Sequence, residues 1–513
     1  MSLRKIRSVR KSRNGCFTCK QRKKKCDEVK PVCGHCKRLG FKCNYGFKLS
    51  WVSKNQKLGK DGVELPPNFR VIEIINFTRN DMMESMPTHH DYDFEFPRQD
   101  VPQYLFEELK KDPIIGPRIS EQYLFSLYKN VLSKTKSFAG SNEACNDFVQ
   151  IVIPKCDKFP ALYHSVLALS ALDLIKTNLK RHLETRSVLL LNIYNTLFIQ
   201  YKNDAINCLH DILDGFDVNK VDMLEELVLT IVLLCNLEIT NKGNKDWIQY
   251  LSEACLVLNS LSSSRITSSG VFTFAYKYFS LRYVLLLTTL DTESFLQFIS
   301  NNPWPILREV FLSDLIEPMY GCSPKLIGMI YQLTLFNYQY ETNEMELSTF
   351  VGKVTKIWYS LNSATYYDYN LSEELLWSAQ CYELSIKLYI FSILGKQNLL
   401  LFLDDDVDYC IPELWRKLND LSHKRKSLFF PNWCFWILVT VNIDSNDVER
   451  VKVLKLLALL QQNWPYSSVM EIKHAIITMW KVYDLGLPNR DENSPPFDTR
   501  RVVTQHKFML ALT

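Results

Sequence analysis

From residue 118 onward, apolar positions recur at helical spacing. In PALYHSVLALSALDL, Leu162, Val166, Leu169 and Leu172 share one face, and Pro160 sets the start. Segments near 185–213, 222–240, 246–262, 271–290, 323–340, 370–394, 446–463 and 467–484 behave alike. Most are apolar on more than one side, which predicts helices packed within a large bundle or stacked array. With only 16 Gly and 20 Pro in the chain, long Leu-rich stretches run free of both and favour helices over a turn-rich β architecture. The expectation is a mostly all-α protein: a helical domain over 118–490, then a C-terminal tail over 491–513.

The pattern breaks between Gly46 and about Pro117. No sustained hydrophobic period crosses this stretch, and Pro66, Pro67, Pro87, Pro97, Pro102, Pro113 and Pro117 interrupt any helix, so residues 47–117 are expected to be a linker. Three or more heptads would signal a dimerising coiled coil, and none is visible, which leaves monomer and dimer both open. Within the linker, residues 81–100 hold DYDFEF, in which acids alternate with Tyr92, Phe94 and Phe96 after Met82, Met83 and Met86. Such alternation suits either an acidic activation segment that folds on a coactivator or a strand or loop docked on the helical body.

Composition adds a second division. At 513 residues the chain exceeds one compact domain, and 47% hydrophobic with 23% charged residues is close to the globular average, so most of it should fold. The basic N-terminus is followed by no apolar stretch of the secretory kind, and the runs Leu227–Cys235 and Trp433–Ile443 fall short of the roughly 18 to 20 residues needed to cross a bilayer. The expectation is a soluble intracellular protein without a membrane partner. Its formal net charge of +5 conceals an asymmetry: residues 1–60 carry 19 Lys and Arg against Asp27 and Glu28, a formal +17, and the rest carries 42 against 54, a formal −12. A head this basic on an acidic body points to a polyanion partner.

Cysteine is equally uneven. Six of the 15 lie within 28 residues, and the other nine are scattered singly from Cys145 to Cys434, as buried apolar fillers would be. In a reducing compartment the dense group reads as metal ligands rather than disulfides. Cys16, Cys19 and Cys26 follow the spacing Cys-x2-Cys-x6-Cys, and Cys33, Cys36 and Cys43 repeat it seventeen residues later. Two tetrahedral zinc ions need eight sulfur bonds, which six cysteines supply only if two of them bridge both metals. Equivalence under the repeat selects Cys16 and Cys33 as the bridges. The rival, a single zinc on Cys16, Cys19, Cys33 and Cys36, has to treat the matched positions of Cys26 and Cys43 as coincidence. His35, lying between two ligands, is expected to be solvated.

The halves differ in charge. Between Cys19 and Cys26 stand Lys20, Arg22, Lys23, Lys24 and Lys25 around one Gln; after Cys36 the equivalent stretch holds Leu39, Gly40 and Phe41 where the first half has charge. A short helix starting near Phe17 would hold Cys19 at its N-terminal end, where the dipole favours thiolate, and send Arg22 and Lys23 outward into a DNA major groove. Arg or Lys donating to guanine O6 and N7 is the commonest specific base contact. Arg10, Lys11 and Arg13 would hold phosphates. A basic run of this kind also serves as a nuclear import signal, and one stretch can do both.

The segment Gly15 to Tyr45, GCFTCKQRKKKCDEVKPVCGHCKRLGFKCNY, resembles the fungal zinc binuclear cluster transcription factors, matching them in all six cysteines, in Lys20, Arg22, Lys23 and Lys25, in Asp27 and in Pro31. The resemblance implies two zinc ions, recognition of CGG-type triplets in double-stranded DNA by Arg22 and Lys23, a turn at Pro31 that folds one half onto the other, and a nuclear protein acting on RNA polymerase II promoters. More diffusely, Ile153–Leu174 and Leu233–Leu258 resemble the all-helical regulatory domain that accompanies many such factors. There Glu238, Gly243, Trp247, Leu251 and Ala254 match, and Tyr250 stands where a His is common.

Phosphate loops, a Gly-x-Ser-x-Gly elbow and a His-Glu-x-x-His helix are all missing from the sequence. Asp404, Asp405 and Asp406 read better as a helix start or solvated loop than as a metal site, His164 as a helix residue, and Trp433 and Trp436 as core. Three classes therefore stand: a DNA-binding transcription regulator, an architectural chromatin or chromosome-segregation protein, and an enzyme with an accessory zinc head. Catalysis has no supporting constellation.

Overall fold

The computed structural model describes Thr18, Cys19, Arg22, Lys24, Cys26, Asp27, Val29, residues 32–41 and Cys43 of the N-terminal region and, with short breaks, residues 109–512. The 81–100 segment, Gly243 and Asp404 to Asp406 lie outside the described residues. The chain divides into two compact units, Met1–Phe77 and Thr78–Thr513. No strand forms among the described residues; the lone extended pairing joins Glu317 to Cys322.

In the first unit the regular helix is α1 (Gly34–Arg38). The second unit continues with α2 (Gly116–Ile119), α3 (Glu121–Asn130), α4 (Ile153–Lys155), α5 (Pro160–Leu179), α6 (Thr185–Asp214), α7 (Val221–Asn241), α8 (Asp246–Asn259), α9 (Ser263–Ser268) and α10 (Gly270–Leu287). Then come α11 (Thr292–Asn301), α12 (Pro324–Glu341), α13 (Leu347–Asn362), α14 (Glu373–Gly395), α15 (Val407–His423), α16 (Asn432–Val441), α17 (Asp447–Asn463), α18 (Ser467–Gly486) and α19 (Thr499–Gln505). The eight segments expected from periodicity correspond to α6, α7, α8, α10, α12, α14, α17 and α18, and the stretch opened by Pro160 is α5. Leu162, Val166, Leu169 and Leu172 are all buried, as their shared face requires.

A row of neighbouring helices runs α3, α5, α7, α10, α12, α14, α16, each packed on the next, with α6 laid along α5, α8 along α7, and α15 along α14. Within that row, α7 is buried at every residue from Leu227 through Thr240, and α10 nearly throughout. A helix with no polar face has to lie inside the body, which is why these two read as near-continuous apolar runs. Several of their polar groups find partners nearby. Lys202 of α6 reaches the buried Glu238 of α7 at 2.5 Å, Lys136 donates to Asn236 Oδ1 at 2.9 Å, and Arg282 donates to the Tyr278 carbonyl at 2.9 Å with its guanidinium 3.4 Å above the Tyr278 ring.

The segment set apart as a C-terminal tail is part of this core. Val502, Val503, Leu510, Ala511 and Leu512 are buried, Trp247 Nε1 donates to the Met509 carbonyl at 3.2 Å, and Arg500 pairs with Glu341 at 2.6 Å and Asp498 at 2.9 Å. Its helix α19 packs on α18, and these bonds tie the segment to α8 and α12. Seven of the nine scattered cysteines are buried; Cys145 is exposed and Cys208 only half-buried. Trp433 and Trp436 are core, and Trp433 Nε1 donates to Thr288 Oγ1 at 3.1 Å. His164 is a half-buried helix residue stacked on Tyr201. No helix among the described residues is long and apolar enough to cross a membrane.

Candidate metal centre and nucleic-acid interface

Two groups of three thiols form in the first unit. The sulfurs of Cys19, Cys26 and Cys33 lie within 4.8 Å of one another, and so do those of Cys33, Cys36 and Cys43. Cys33 belongs to both groups, the position that the sulfur count requires of a bridging ligand. Zinc–sulfur bonds of about 2.3 Å place the corners of a tetrahedron about 3.8 Å apart, and Cys19 Sγ stands 3.7 Å from Cys33 Sγ. An all-thiol donor set, buried except for half-buried Cys43, therefore fits zinc. Cys16, the expected second bridge, lies outside the described residues, as do Lys20, Lys23 and Lys25. His35 is half-buried and belongs to neither thiol group.

Local backbone geometry prepares these sulfurs for negative charge. Cys33 is the N-cap of α1, its Sγ accepting from the Cys36 amide at 3.3 Å, and Cys43 Sγ accepts from the Cys33 amide at 3.4 Å. Amide donors and a helix N-terminus favour thiolate over thiol. Asp27 performs a parallel task one residue past the third ligand. Its Oδ2 accepts from the Gly34 amide at 2.8 Å, the first residue of α1, and its Oδ1 from the Val29 amide at 3.5 Å. At Gly34 a Cβ would stand 2.6 Å from Asp27 Oδ2, so a larger residue there would displace the carboxylate.

At the other end, α1 closes with a left-handed Gly40 (φ 65°). The Phe41 amide reaches back to the Cys36 carbonyl at 3.0 Å, and the Gly40 amide lies 3.5 Å from the Lys37 carbonyl, the backbone pattern by which glycine ends a helix and turns the chain. In the first half, Thr18 and Cys19 are helical and the Arg22 amide bonds to the Thr18 carbonyl at 3.2 Å, so the helical start expected near Phe17 is met at its described residues. Arg22 and Lys24 are exposed. The Arg22 guanidinium lies over the Phe41 ring, 4.1 Å from its centroid. The sequence marks the second half as the less basic one, with Leu39, Gly40 and Phe41 where the first half has charge, and gives it no part in the basic face; the Gly–aromatic pair closing α1 was the available signal. The Asp27–Gly34 contact was likewise unread.

A binuclear thiol head followed by a large helical unit defines a zinc-cluster DNA-binding regulator, and two family models match along that division. The fungal Zn(2)-Cys(6) binuclear cluster domain matches residues 14–51, and the fungal specific transcription factor domain matches residues 123–494. The chain belongs to the fungal Zn(2)-Cys(6) transcription factors, and its cofactor is a pair of zinc ions. Among curated relatives it is similar to the transcriptional regulatory protein pro1 of Neurospora crassa, 40% identical over 62 residues, which is 12% of this chain and 9% of the relative. It is 63% identical over 35 residues to the sterol uptake control protein 2 of Candida albicans, 7% of this chain and 5% of that one. With the transcriptional activator protein UGA3 of Saccharomyces cerevisiae it shares 27% identity over 171 residues, 31% of this chain and 29% of that one. The matches thus span less than a third of these relatives' lengths. No solved structure matches the chain.

Proposed function

We propose that this chain is a sequence-specific, nuclear transcription regulator that reads CGG-type triplets in the major groove at RNA polymerase II promoters, and that it is not an enzyme. The observation that carries the reading is the pair of three-thiol groups sharing Cys33, with exposed Arg22 and Lys24 on the stretch between the second and third ligands. In this reading Cys16, Cys19, Cys26, Cys33, Cys36 and Cys43 hold the two zinc ions. Lys20, Arg22, Lys23, Lys24 and Lys25 face DNA, with Arg22 and Lys23 on base edges and the remaining cations on phosphates. Residues 10–46 are the DNA-binding domain, 47–117 the linker and 118–490 the regulatory domain, with 81–100 offered to coactivators.

The zinc ions, when bound, would supply the cross-link that holds both halves of the head in one geometry, since so small a unit buries little else. The chain's own residues do the rest: Asp27 and Cys33 anchor the start of α1, Gly40 turns the chain after it, and the basic stretch presents donors. A reporter driven by a duplex bearing the selected triplet, in fungal cells expressing the full chain, tests the proposal. Output should change with wild-type protein and return to baseline with Cys26→Ser. An output indifferent to Cys26 would refute it.

A further inference from the structure

The one described basic side chain of the head with a resolved aromatic partner is Arg22, and that partner comes from the opposite half of the duplication. Phe41 is 43% exposed, so its ring is a surface feature and is not buried filler of the small thiol core. The turn that places it there is built. Gly40 adopts φ 65°, where a side chain is strained, and the Phe41 amide is fixed to the Cys36 carbonyl at 3.0 Å. The ring therefore hangs from a metal-ligand residue on one side, and Arg22 stands three residues beyond ligand Cys19 on the other. Cys36 and Cys19 belong to the two thiol groups joined at Cys33, and their sulfurs stand 4.0 Å apart, so the two side chains have short, fixed tethers.

We propose that Phe41 is the positioning residue for Arg22: an aromatic side chain of the second half of the cluster holds the reading guanidinium in place. A guanidinium lying on an aromatic face keeps its N–H fork free at the edge, the arrangement needed for paired hydrogen bonds to guanine O6 and N7. An arginine on a bare surface has to lose its rotamer freedom on binding; one already laid on a ring loses less, and that difference appears in specific affinity. Contact with phosphate needs no such orientation, so non-specific binding is left unchanged. The halves are then complementary in role, charged finger and aromatic rest, which explains why Phe41 occupies the register position that Lys24 holds in the first half.

This inference rests on the base-reading assignment of Arg22 made above, and the test separates the two. Full-length wild type, Phe41→Leu, Phe41→Tyr, Arg22→Ala and the Arg22→Ala/Phe41→Leu double variant are compared for binding to a triplet-bearing duplex and to a scrambled duplex, after metal analysis confirms two zinc per chain in each. An exposed cation–π contact corresponds to about a two- to five-fold effect. Phe41→Leu should therefore weaken triplet binding about two- to five-fold and leave scrambled binding and its salt dependence unchanged. Phe41→Tyr should keep wild-type affinity, and Phe41→Leu should have no further effect once Arg22 is Ala. If Arg22→Ala lowers discrimination and Phe41→Leu does not, or if Phe41→Leu weakens binding equally with and without Arg22, the positioning role is overturned and the base-reading role survives. If Arg22→Ala leaves discrimination intact, the base-reading assignment fails, and the positioning role fails with it.

Discussion

Asp27 and Gly34 share one contact, so their substitutions should be coupled. The Asp27 carboxylate bonds the Gly34 amide at 2.8 Å at the first position of α1, the work of a helix-capping side chain, whose removal costs about 1 kcal/mol. Asp27→Ala should therefore weaken zinc binding about fivefold, because the folded head and the bound metals form one equilibrium. Gly34→Ala should cost less than Asp27→Ala: the new Cβ would stand 2.6 Å from Asp27 Oδ2 and displace the carboxylate from its amide, a loss that the helix preference for Ala over Gly, up to about 1 kcal/mol, offsets in part. Among the described residues, Asp27 is the sole neighbour within 4 Å of that Cβ, apart from residues adjacent in the chain and the helix's own backbone. With Asp27 already Ala, Gly34→Ala should thus be neutral or slightly favourable, since Ala suits a helix better than Gly by about 1 kcal/mol. Competition of the full-length variants against a zinc chelator of known affinity measures all three. Additive effects in the double variant would refute the shared-contact reasoning.

Three further outcomes follow from the same structure. Cys33→Ser should remove both zinc ions by metal analysis, because Cys33 lies in both thiol groups; retention of one tightly held ion would argue against a bridge. Arg500→Met should destabilise the second unit by about 3 kcal/mol, leaving half-buried Glu341 and Asp498 without their cation although Glu341 keeps Thr292 and Asn337 as donors, and faster amide exchange across α19 and α12 would register it. Burial lowers the Lys176 ammonium to about 7 and that of Lys136 to about 8. The unfolded chain holds both protons well above these values, so the stability they contribute is greatest above about pH 10, falls as pH drops through 9 and 8, and levels off below about 7. The melting temperature of the second unit should therefore rise from pH 7 toward 9, and Lys176→Met should flatten the slope by up to about 1.4 kcal/mol per pH unit; an unchanged slope would contradict a depressed Lys176.

The fold was most legible where burial is most complete. Helices α7 and α10 are apolar all round and stand out as runs, whereas α15 buries only a stripe of Cys410, Leu414, Leu418 and Leu421 among polar neighbours, and no apolar block marks it. The C-terminal segment escaped for a related reason: pairs such as Val502 with Val503 are too short to read as core until the surface they cover is known. Zinc ligation could be read directly, since cysteine spacing and the valence of sulfur limit the options. The contacts of Arg22 with Phe41 and of Asp27 with Gly34 could not. Each joins residues of different halves, and only folding one half against the other sets the distances.

Selection from random duplexes by the full-length, zinc-loaded chain tests the central claim most directly. A CGG-type triplet should be enriched, and the enrichment lost when Arg22 or Lys23 is replaced by Ala; a pool left without any enriched sequence, with two zinc bound, would contradict base reading by this head.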